Sequence, residues 1–434
     1  MDSNRKYVLI VSYFFPDCSL TAAQRPDAWA NELSKHGYFP IVITRKWERK
    51  IIDYADEGFP TSPNNEVEIY DHKIIYKTAY KSKLRDQFYI KYGKNKFKTI
   101  RQLLTASSLI IRNLNPRFSP FYPLYRAAEE AIIKYKPSII IATANPYNQF
   151  YFGYLLSKKY NIPWIADYRD AWTTSQINDN NSVAFKLIER YNRHFEHKWC
   201  RTASLITAVS EPIAEKISKF VDVPFQTLPN GYRLNLFKSI HEKAKFDRFT
   251  ITYIGSLYPS QKIELFLGAF KKWLASISFQ LSPNILFPGL ELFPEQKKRV
   301  LSFDESLNPF ITTTTRLPQT EVLEIQMKSH CLLYVGWKGY EGVVPSKIFE
   351  YCASGTPILV APADLSEVDK IVSKAKAGYS ADNEAEVISY LNRLYSAYLI
   401  NSPLQNDVDS SEILSLSSEE QVKKLASFFD KIIL

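Results

Sequence analysis

The chain predicts an α/β protein built from two doubly wound, Rossmann-like halves. Short β-branched or aromatic runs alternate with amphipathic stretches, and the alternation restarts after a charged segment of weak periodicity. The length, 434 residues, also exceeds what one core usually holds. Apolar residues make up 45% and charged residues 23%, enough for two buried cores and too apolar for wholesale disorder.

In the first half, Tyr7–Tyr13, Pro40–Thr44, Ser138–Thr143, Trp164–Tyr168 and Ser204–Val209 have the near-continuous apolar character of parallel strands covered on both faces. Gln24–Lys35 and Tyr147–Tyr160 lie between them as amphipathic stretches, giving repeated βαβ units. Phe185, Ile188, Tyr191, Phe195 and Trp199, three and four apart, mark a long helix. Leu228-Pro229-Asn230-Gly231 then opens a charged stretch through Arg248 that reads as the linker. Beyond it, strands are expected at Phe249–Ile254, Phe310–Thr315, Leu332–Gly336 and Pro357–Ala361. Helices are expected at Lys262–Ala275, Thr320–Ser329, Pro345–Ala353 and Glu384–Leu399, with one more at about Ser418 to Ile432. The domains are drawn at residues 1–235 and 236–415, followed by a terminal helix in 416–434. Ligands of such sheets bind beyond the carboxyl ends of the strands, so the site is expected in a central cleft between the two halves.

Glycine is scarce, 13 of 434, and no two glycines stand two apart, so the GxGxxG dinucleotide fingerprint is absent. The one Gly-Lys pair, Gly93-Lys94, has Phe88 where a phosphate-binding P-loop needs its first glycine. Ordinary NAD, FAD and P-loop readings are excluded. Cys18, Cys200, Cys331 and Cys352 are far apart with no CxxC pair, which fits a reducing cytosol. Arg5-Lys6 before Tyr7–Phe15 reads as a first strand and not as a signal peptide, because Pro16-Asp17 follow where small cleavage-site residues belong. No apolar run approaches the ~18 residues of a membrane span, so any membrane contact is expected to be peripheral. His194, His197 and Cys200, three apart on one helix, spread too widely to converge on one ion, and no metal is expected there.

The net charge is +10, and between Lys73 and Arg101 stand ten basic residues and one acid, Asp86. The surplus is therefore a local device. The segment mixes Tyr76, Tyr80, Phe88, Tyr89, Tyr92 and Phe97 with its lysines and runs into an amphipathic stretch ending at Leu114. Residues 73–114 are expected to meet an anionic membrane surface, with a solvated charged loop as the alternative. No readout motif supports nucleic-acid binding.

The stretch most informative about chemistry is Gly336 to Leu359, GWKGYEGVVPSKIFEYCASGTPIL, a strand end, a loop, a helix and the start of another strand. Pro345 suits the first turn of a helix, whose free N–H groups, with Ser346 and Lys347 beside them, would attract an anion. Glu350, one turn on, could accept hydrogen bonds from a ribose; an ordinary capped αβ connection is the other reading. These residues resemble the nucleotide-sugar glycosyltransferases of the two-Rossmann GT-B fold, specifically the retaining family 4. The resemblance implies that the C-terminal helix returns to the N-terminal domain. Glu350 matches the second acid of that family's Glu-x7-Glu motif, while the first would fall at Gly342 and this chain offers Glu341. Ile254-Gly-Ser-Leu-Tyr-Pro-Ser-Gln-Lys262 resembles the family's Gly-Arg…Lys phosphate segment, with Gly255 and Lys262 in place, Ser256 at the arginine position, and Lys347 or Lys338 as substitutes. By itself, a lysine opening a helix reads as a solvated residue.

Asp167-Tyr-Arg169-Asp170-Ala-Trp172 resembles the "Asp-x-Arg-Asp-x-Trp" segment of a family branch that builds bacterial surface polysaccharides, following a matching Thr143-Ala-Asn145-Pro-Tyr147 turn. Asp167, Arg169 and Asp170 would then be catalytic or acceptor groups and Asn145 an acceptor contact; a structural ion pair at the strand end is the alternative. Tyr13-Phe-Phe-Pro16 with Gln24-Arg25 resembles the family's first loop, so Arg25 joins the acceptor residues, although Asp17-Cys-Ser-Leu20 replaces the usual Gly-Gly. Ala208-Val-Ser-Glu211 and Pro229-Asn230-Gly231 agree with the pattern. The resemblance implies retaining transfer of a sugar from a nucleotide-diphosphate donor to a lipid-linked oligosaccharide at the inner membrane face, without metal or other cofactor. Lys262 and Glu341 join the catalytic candidates. A hydrolysing nucleotide-sugar 2-epimerase and a catalytically silent scaffold remain as alternatives.

Overall fold

The computed structural model describes residues 5–18, 20–49, 51, 54–93, 96–175, 182–239, 244–401 and 408–433. Two compact units emerge: Met1–Pro229 with Gln421–Leu434, and Asn230–Glu420. The first unit is built on β1 (Lys6–Ser12), β2 (Tyr38–Arg45), β3 (Glu66–Ile69), β4 (Ile74–Thr78), β5 (Ile139–Ala144), β6 (Trp164–Tyr168), β7 (Leu205–Ala208) and β8 (Phe225–Thr227). Their order is β3-β4-β2-β1-β5-β6-β7-β8, parallel except for β3, which runs antiparallel along β4 at the edge. The register sets Thr143 beside Asp167 and Asp167 beside Thr207.

The second unit holds β9 (Thr250–Thr252), β10 (Asn284–Pro288), β11 (Ile311–Thr314), β12 (Cys331–Tyr334), β13 (Ile358–Val360) and β14 (Gly378–Ser380). They form a parallel sheet in the order β11-β10-β9-β12-β13-β14. Each sheet is buried under helices, with Leu9, Val11, Ile140 and Trp164 in the first core and Phe249, Ile251, Phe266 and Trp273 in the second. Sequestering each such side chain contributes roughly 1.5–3 kcal/mol before chain entropy is counted.

The structure adds β3, β4, β8, β10 and β14 to the strands expected from the sequence. β8 and β14 are three residues each, too short for periodicity to register. In β14 the backbone passes so close to β13 that a Cβ on Gly378 would stand 2.0 Å from the Ile358 carbonyl oxygen. β4 hides inside the basic segment, and this corrects the expected membrane patch. Ile74, Ile75, Tyr76 and Tyr80 are buried, and Lys77 pairs with Asp17 and Glu68 at 2.7 Å each, so residues 73–80 belong to the sheet and not to a membrane-facing surface. Lys94 lies outside the described residues, as do residues 240–243 of the expected linker. That linker also contains the short helix Leu234–Ser239.

The last helix, Ser418–Ile433, contributes Val422, Leu425, Phe428 and Phe429 to the cluster around Val8, Ile10, Val42 and Ile141 of the first unit. Tyr38 donates to Asp430 Oδ1 at 2.6 Å from the same sheet. The chain passes between the units at Pro229 and again at Glu420, ahead of and beyond the boundaries drawn at 235 and 415.

Candidate functional site

In the first unit, the strand register explains the fate of Asp167. Its neighbours across the ladder, Thr143 and Thr207, each donate a hydroxyl at 2.7 Å, one to each carboxylate oxygen. Arg25 completes the set with two parallel bonds, Nη2 to Oδ1 at 2.6 Å and Nε to Oδ2 at 3.1 Å, and its Nη1 donates to the Leu228 and Pro229 carbonyls. Both side chains are buried, Asp167 completely. This corrects the expectation that Asp167 is catalytic and Arg25 an acceptor contact. They form an internal ion pair that ties the first helix to the strand ends, the kind that costs about 3–5 kcal/mol when one partner is removed.

Arg169 is likewise spent on structure. It donates from Nε to Ala144 and from Nη1 to Ala22, both at 2.9 Å, and from Nη2 to the Asn145 carbonyl, so it shapes the loops after β5 and β6. Burial holds its guanidinium below the usual range. Asp170 and Asn145 project at this same end of the sheet, and both are exposed. Beneath them the rings of Tyr147 and Trp172 stack at 4.6 Å. The loop is held from below by Glu196, a buried acid that the sequence reading passed over. Its carboxylate accepts from the Thr173 amide at 3.1 Å, from the Thr173 hydroxyl and from Tyr168 at 3.1 Å. Burial pushes the Glu196 carboxyl up. Cys200 sits in the same cluster as a buried partner of Tyr168. Among the described residues, no group of three or more His, Cys, Asp and Glu gathers to hold a metal ion.

The second unit collects most of the donor candidates around the loop after β9. Gly255 has φ +85°, a conformation costly for side-chain-bearing residues. Its N–H donates to the Pro288 carbonyl at 3.1 Å, so that backbone group is used within the fold. Ser256 is half-buried, and its carbonyl accepts from Tyr253 at 2.7 Å. Lys262 is exposed at the head of the helix Ile263–Ser276. Gln261, buried beside it and missed as a contributor, pins the loop: its Oε1 accepts from the Tyr258 amide at 3.0 Å and its Nε2 donates to the Val335 carbonyl at 2.6 Å. Arg299 clamps the same loop, with paired bonds to Glu264 at 2.6 and 2.7 Å and one to the Gln261 carbonyl at 2.8 Å.

The helix expected from Pro345 begins at Lys347 and runs to Ala353. The carbonyls of Pro345 and Ser346 accept from Ile348 and Phe349 in tight turns that consume two N–H groups expected to be free. Lys347 carries the site's electrostatics instead. Its Nζ donates to the Ile254 carbonyl at 2.8 Å and stands 4.0 Å from the centre of the Tyr253 ring and 5.8 Å from that of Tyr334. The Ile254 amide, in turn, donates to Tyr351 at 3.0 Å, so one helix holds both backbone polar groups of that residue. Burial pushes the Lys347 ammonium down to about 7. Lys338, the other substitute for the absent arginine, is bound by Asp382 at 2.8 and 2.9 Å. Glu350 is half-buried and accepts one amide bond on each oxygen, from Gln319 and Gln326 at 3.3 Å. Burial raises its carboxyl above the usual range. Glu341 is exposed in the loop ahead of this helix.

Residues 27–236 match the family model "Glycosyltransferase Family 4". No curated protein sequence matches the chain. Among solved structures, the sucrose-phosphate synthase of Thermosynechococcus elongatus superposes with a TM-score of 0.64 at 13% identity, over 99% of both chains. A glycosyltransferase from Rickettsia africae gives 0.61 at 12% identity, again over 99% of both. The E. coli trehalose-6-phosphate structure bound with UDP-2-fluoro glucose gives 0.63 at 9% identity, over 98% of this chain and 99% of that one. At these identities the likeness establishes the fold. That fold is of the GT-B type.

Proposed function

We propose that the protein transfers a sugar, with retention, from a nucleotide-diphosphate donor to a hydroxyl of a lipid-linked oligosaccharide in bacterial surface-polysaccharide synthesis, working at the cytoplasmic face of the membrane. Lys347 is the observation that carries this reading: a half-buried ammonium bonded to a carbonyl and backed by two aromatic rings is a ready counter-charge for a diphosphate. Breaking the anomeric C–O bond loads negative charge onto that diphosphate and positive charge onto the sugar ring. Lys347 and the exposed Lys262 would neutralise the first, with Ser256, Pro345 and Ser346 lining the donor loops, and Glu350 would accept from the ribose hydroxyls. Glu341 stands in for the family's first acid. Asp170 and Asn145, exposed at the strand ends of the first unit, are the acceptor-side groups.

A UDP-sugar is the first donor to try, since a structural neighbour was captured with UDP-2-fluoro glucose. The test is a donor screen that measures nucleotide release with membrane lipid extract as acceptor and follows the sugar by product analysis. Transfer that survives chelator and is lost in Lys347→Met supports the reading. Free epimerised sugar without acceptor, a strict divalent-metal requirement, or an unimpaired Lys347→Met enzyme each overturns a named part of it.

A further inference from the structure

Lys83 and Arg112 are two half-buried cations of the first unit that find no ion-pair partner among the described residues. Lys83 precedes the helix Leu84–Tyr92, at the end whose dipole disfavours a positive charge. Its ammonium stands 4.7 Å from the centre of the Phe121 ring, and among the described residues no carboxylate or carbonyl accepts from it. Arg112 sits in the last turn of the helix Lys98–Leu114, and its Nε is sealed from solvent with no acceptor, a costly arrangement for a charged donor. Burial holds the Lys83 ammonium down to about 8, with the Arg112 charge pushing the same way, and burial holds the Arg112 guanidinium down to about 10. The nearby acids do not answer them. Asp86 accepts from Tyr80 at 3.3 Å and lies 3.9 Å from Arg85, while burial pushes the Glu57 carboxyl up.

Their place in the fold says what they meet. Strand order reverses between β1 and β5, and the crevice beyond the carboxyl ends at such a point is where doubly wound sheets hold ligands. Tyr13 follows β1 there, and Asn145 follows β5. The Phe121 ring packs edge-on against Tyr13 at 5.0 Å and stacks on Tyr80 at 6.5 Å, so the aromatic surface beside Lys83 reaches the carboxyl end of β1. Lys83 itself lies just past the end of β4, which runs parallel to β2. A cation that supports the fold is paired, as Arg25 is with Asp167. Two desolvated, unpaired cations beside one crevice suit a dianion, and a planar guanidinium fork with a point-charge ammonium matches a phosphate.

We propose that Lys83 and Arg112 form an anion subsite beside this crevice that takes a phosphate group of the acceptor, carried either by a sugar phosphate or by the diphosphate of a lipid-linked saccharide. The role given to that phosphate rests on the transferase reading; the binding of phosphate does not.

The experiment is calorimetric titration of the full chain with inorganic pyrophosphate, with UDP saturating the donor loops. Lys83→Gln and Arg112→Gln should each weaken pyrophosphate binding by about tenfold or more, the worth of a charge-assisted hydrogen bond, and leave UDP affinity as in the parent. Neither should lower the urea midpoint, since an unpaired, desolvated charge adds nothing to the folded state. Lys83→Arg keeps the charge and should keep the binding. Displacement of pyrophosphate by a hexose monophosphate identifies the acceptor as a phosphorylated sugar, and displacement by a short-chain prenyl-diphosphate saccharide identifies it as lipid-borne; either supports the subsite. Pyrophosphate that binds both glutamine variants as tightly as the parent, or that neither compound displaces, overturns the proposal. So does a urea midpoint lowered in both variants, which would make the pair a support of the fold. If UDP itself fails to bind, the donor reading falls while the pyrophosphate titration still reads Lys83 and Arg112.

Discussion

Lys347 gives the sharpest pH experiment. Its ammonium is pushed down to about 7 by burial, against the usual 10.5, a cost on the order of 5 kcal/mol for carrying the charge there. The phenols around it, Tyr253, Tyr334 and Tyr351, are all pushed upward by burial and stay protonated across neutrality. A bound diphosphate favours the protonated lysine and should raise its pKa by about 1–3 units. Below pH ~7 the lysine is charged in both free and bound protein, and binding is insensitive to pH. Above it the free lysine is neutral, so each complex must take up a proton. Affinity for a nucleoside diphosphate should then fall about tenfold per pH unit until the bound pKa is passed, a total of about 1.4–4 kcal/mol. The phosphate itself has finished ionising by about pH 7, its second pKa lying near 6. Calorimetric titration of UDP from about pH 7 to 9, in two buffers of different ionisation enthalpy, reads both the slope and the proton uptake. A flat profile in the parent protein, or an unchanged slope in Lys347→Met, would refute the reasoning.

Three more outcomes are expected. Asp167→Asn leaves the Arg25 guanidinium buried beside a neutral amide and should cost about 3–5 kcal/mol in urea unfolding; unchanged stability would place this pair outside the fold's internal supports. Glu350→Gln should raise the donor KM by about 10- to 100-fold, the worth of a charged hydrogen bond to ribose, with the fold intact by circular dichroism; an unaltered KM would remove Glu350 from the donor site. His330 accepts the Thr250 N–H on Nδ1 at 3.1 Å and is held down to about 4, mainly by burial. It is neutral when folded and protonates near 6.5 when unfolded, so stability should be lost as pH falls from about 6.5 to 4, by up to about 3 kcal/mol. His330→Asn should flatten that slope in paired denaturation curves.

Much of the fold was legible because burial on both faces writes itself into composition: β6 is the expected Trp164–Tyr168 and the helix Glu384–Leu399 has its expected bounds. That helix is announced locally, by the Asn383 side chain accepting from the Glu386 amide and by two acids in its first turn. β4 was not legible, because its one lysine, Lys77, matches the basic run around it and only the sheet reveals that it is paired. Asp167 could be placed at a strand end, but Thr143 and Thr207, which consume it, become neighbours only through register. Lys347 was picked out by its place before a helix, whereas the two tyrosines that desolvate it come from β12 and from the turn after β9.

The return of the last helix has a consequence for synthesis. Residues 1–229 emerge from the ribosome long before Val422, Leu425, Phe428 and Phe429, yet the cluster around Val8 and Ile10 is unfinished without them. Asn230–Glu420 is continuous in sequence and can close as soon as it is made. The unit translated first is therefore the last to be completed, and until that helix emerges its exposed strand faces are a natural client for whatever chaperone guards the tunnel exit. A chain stopped short of the final helix would lose the integrity of its N-terminal half, the end farthest from the lesion.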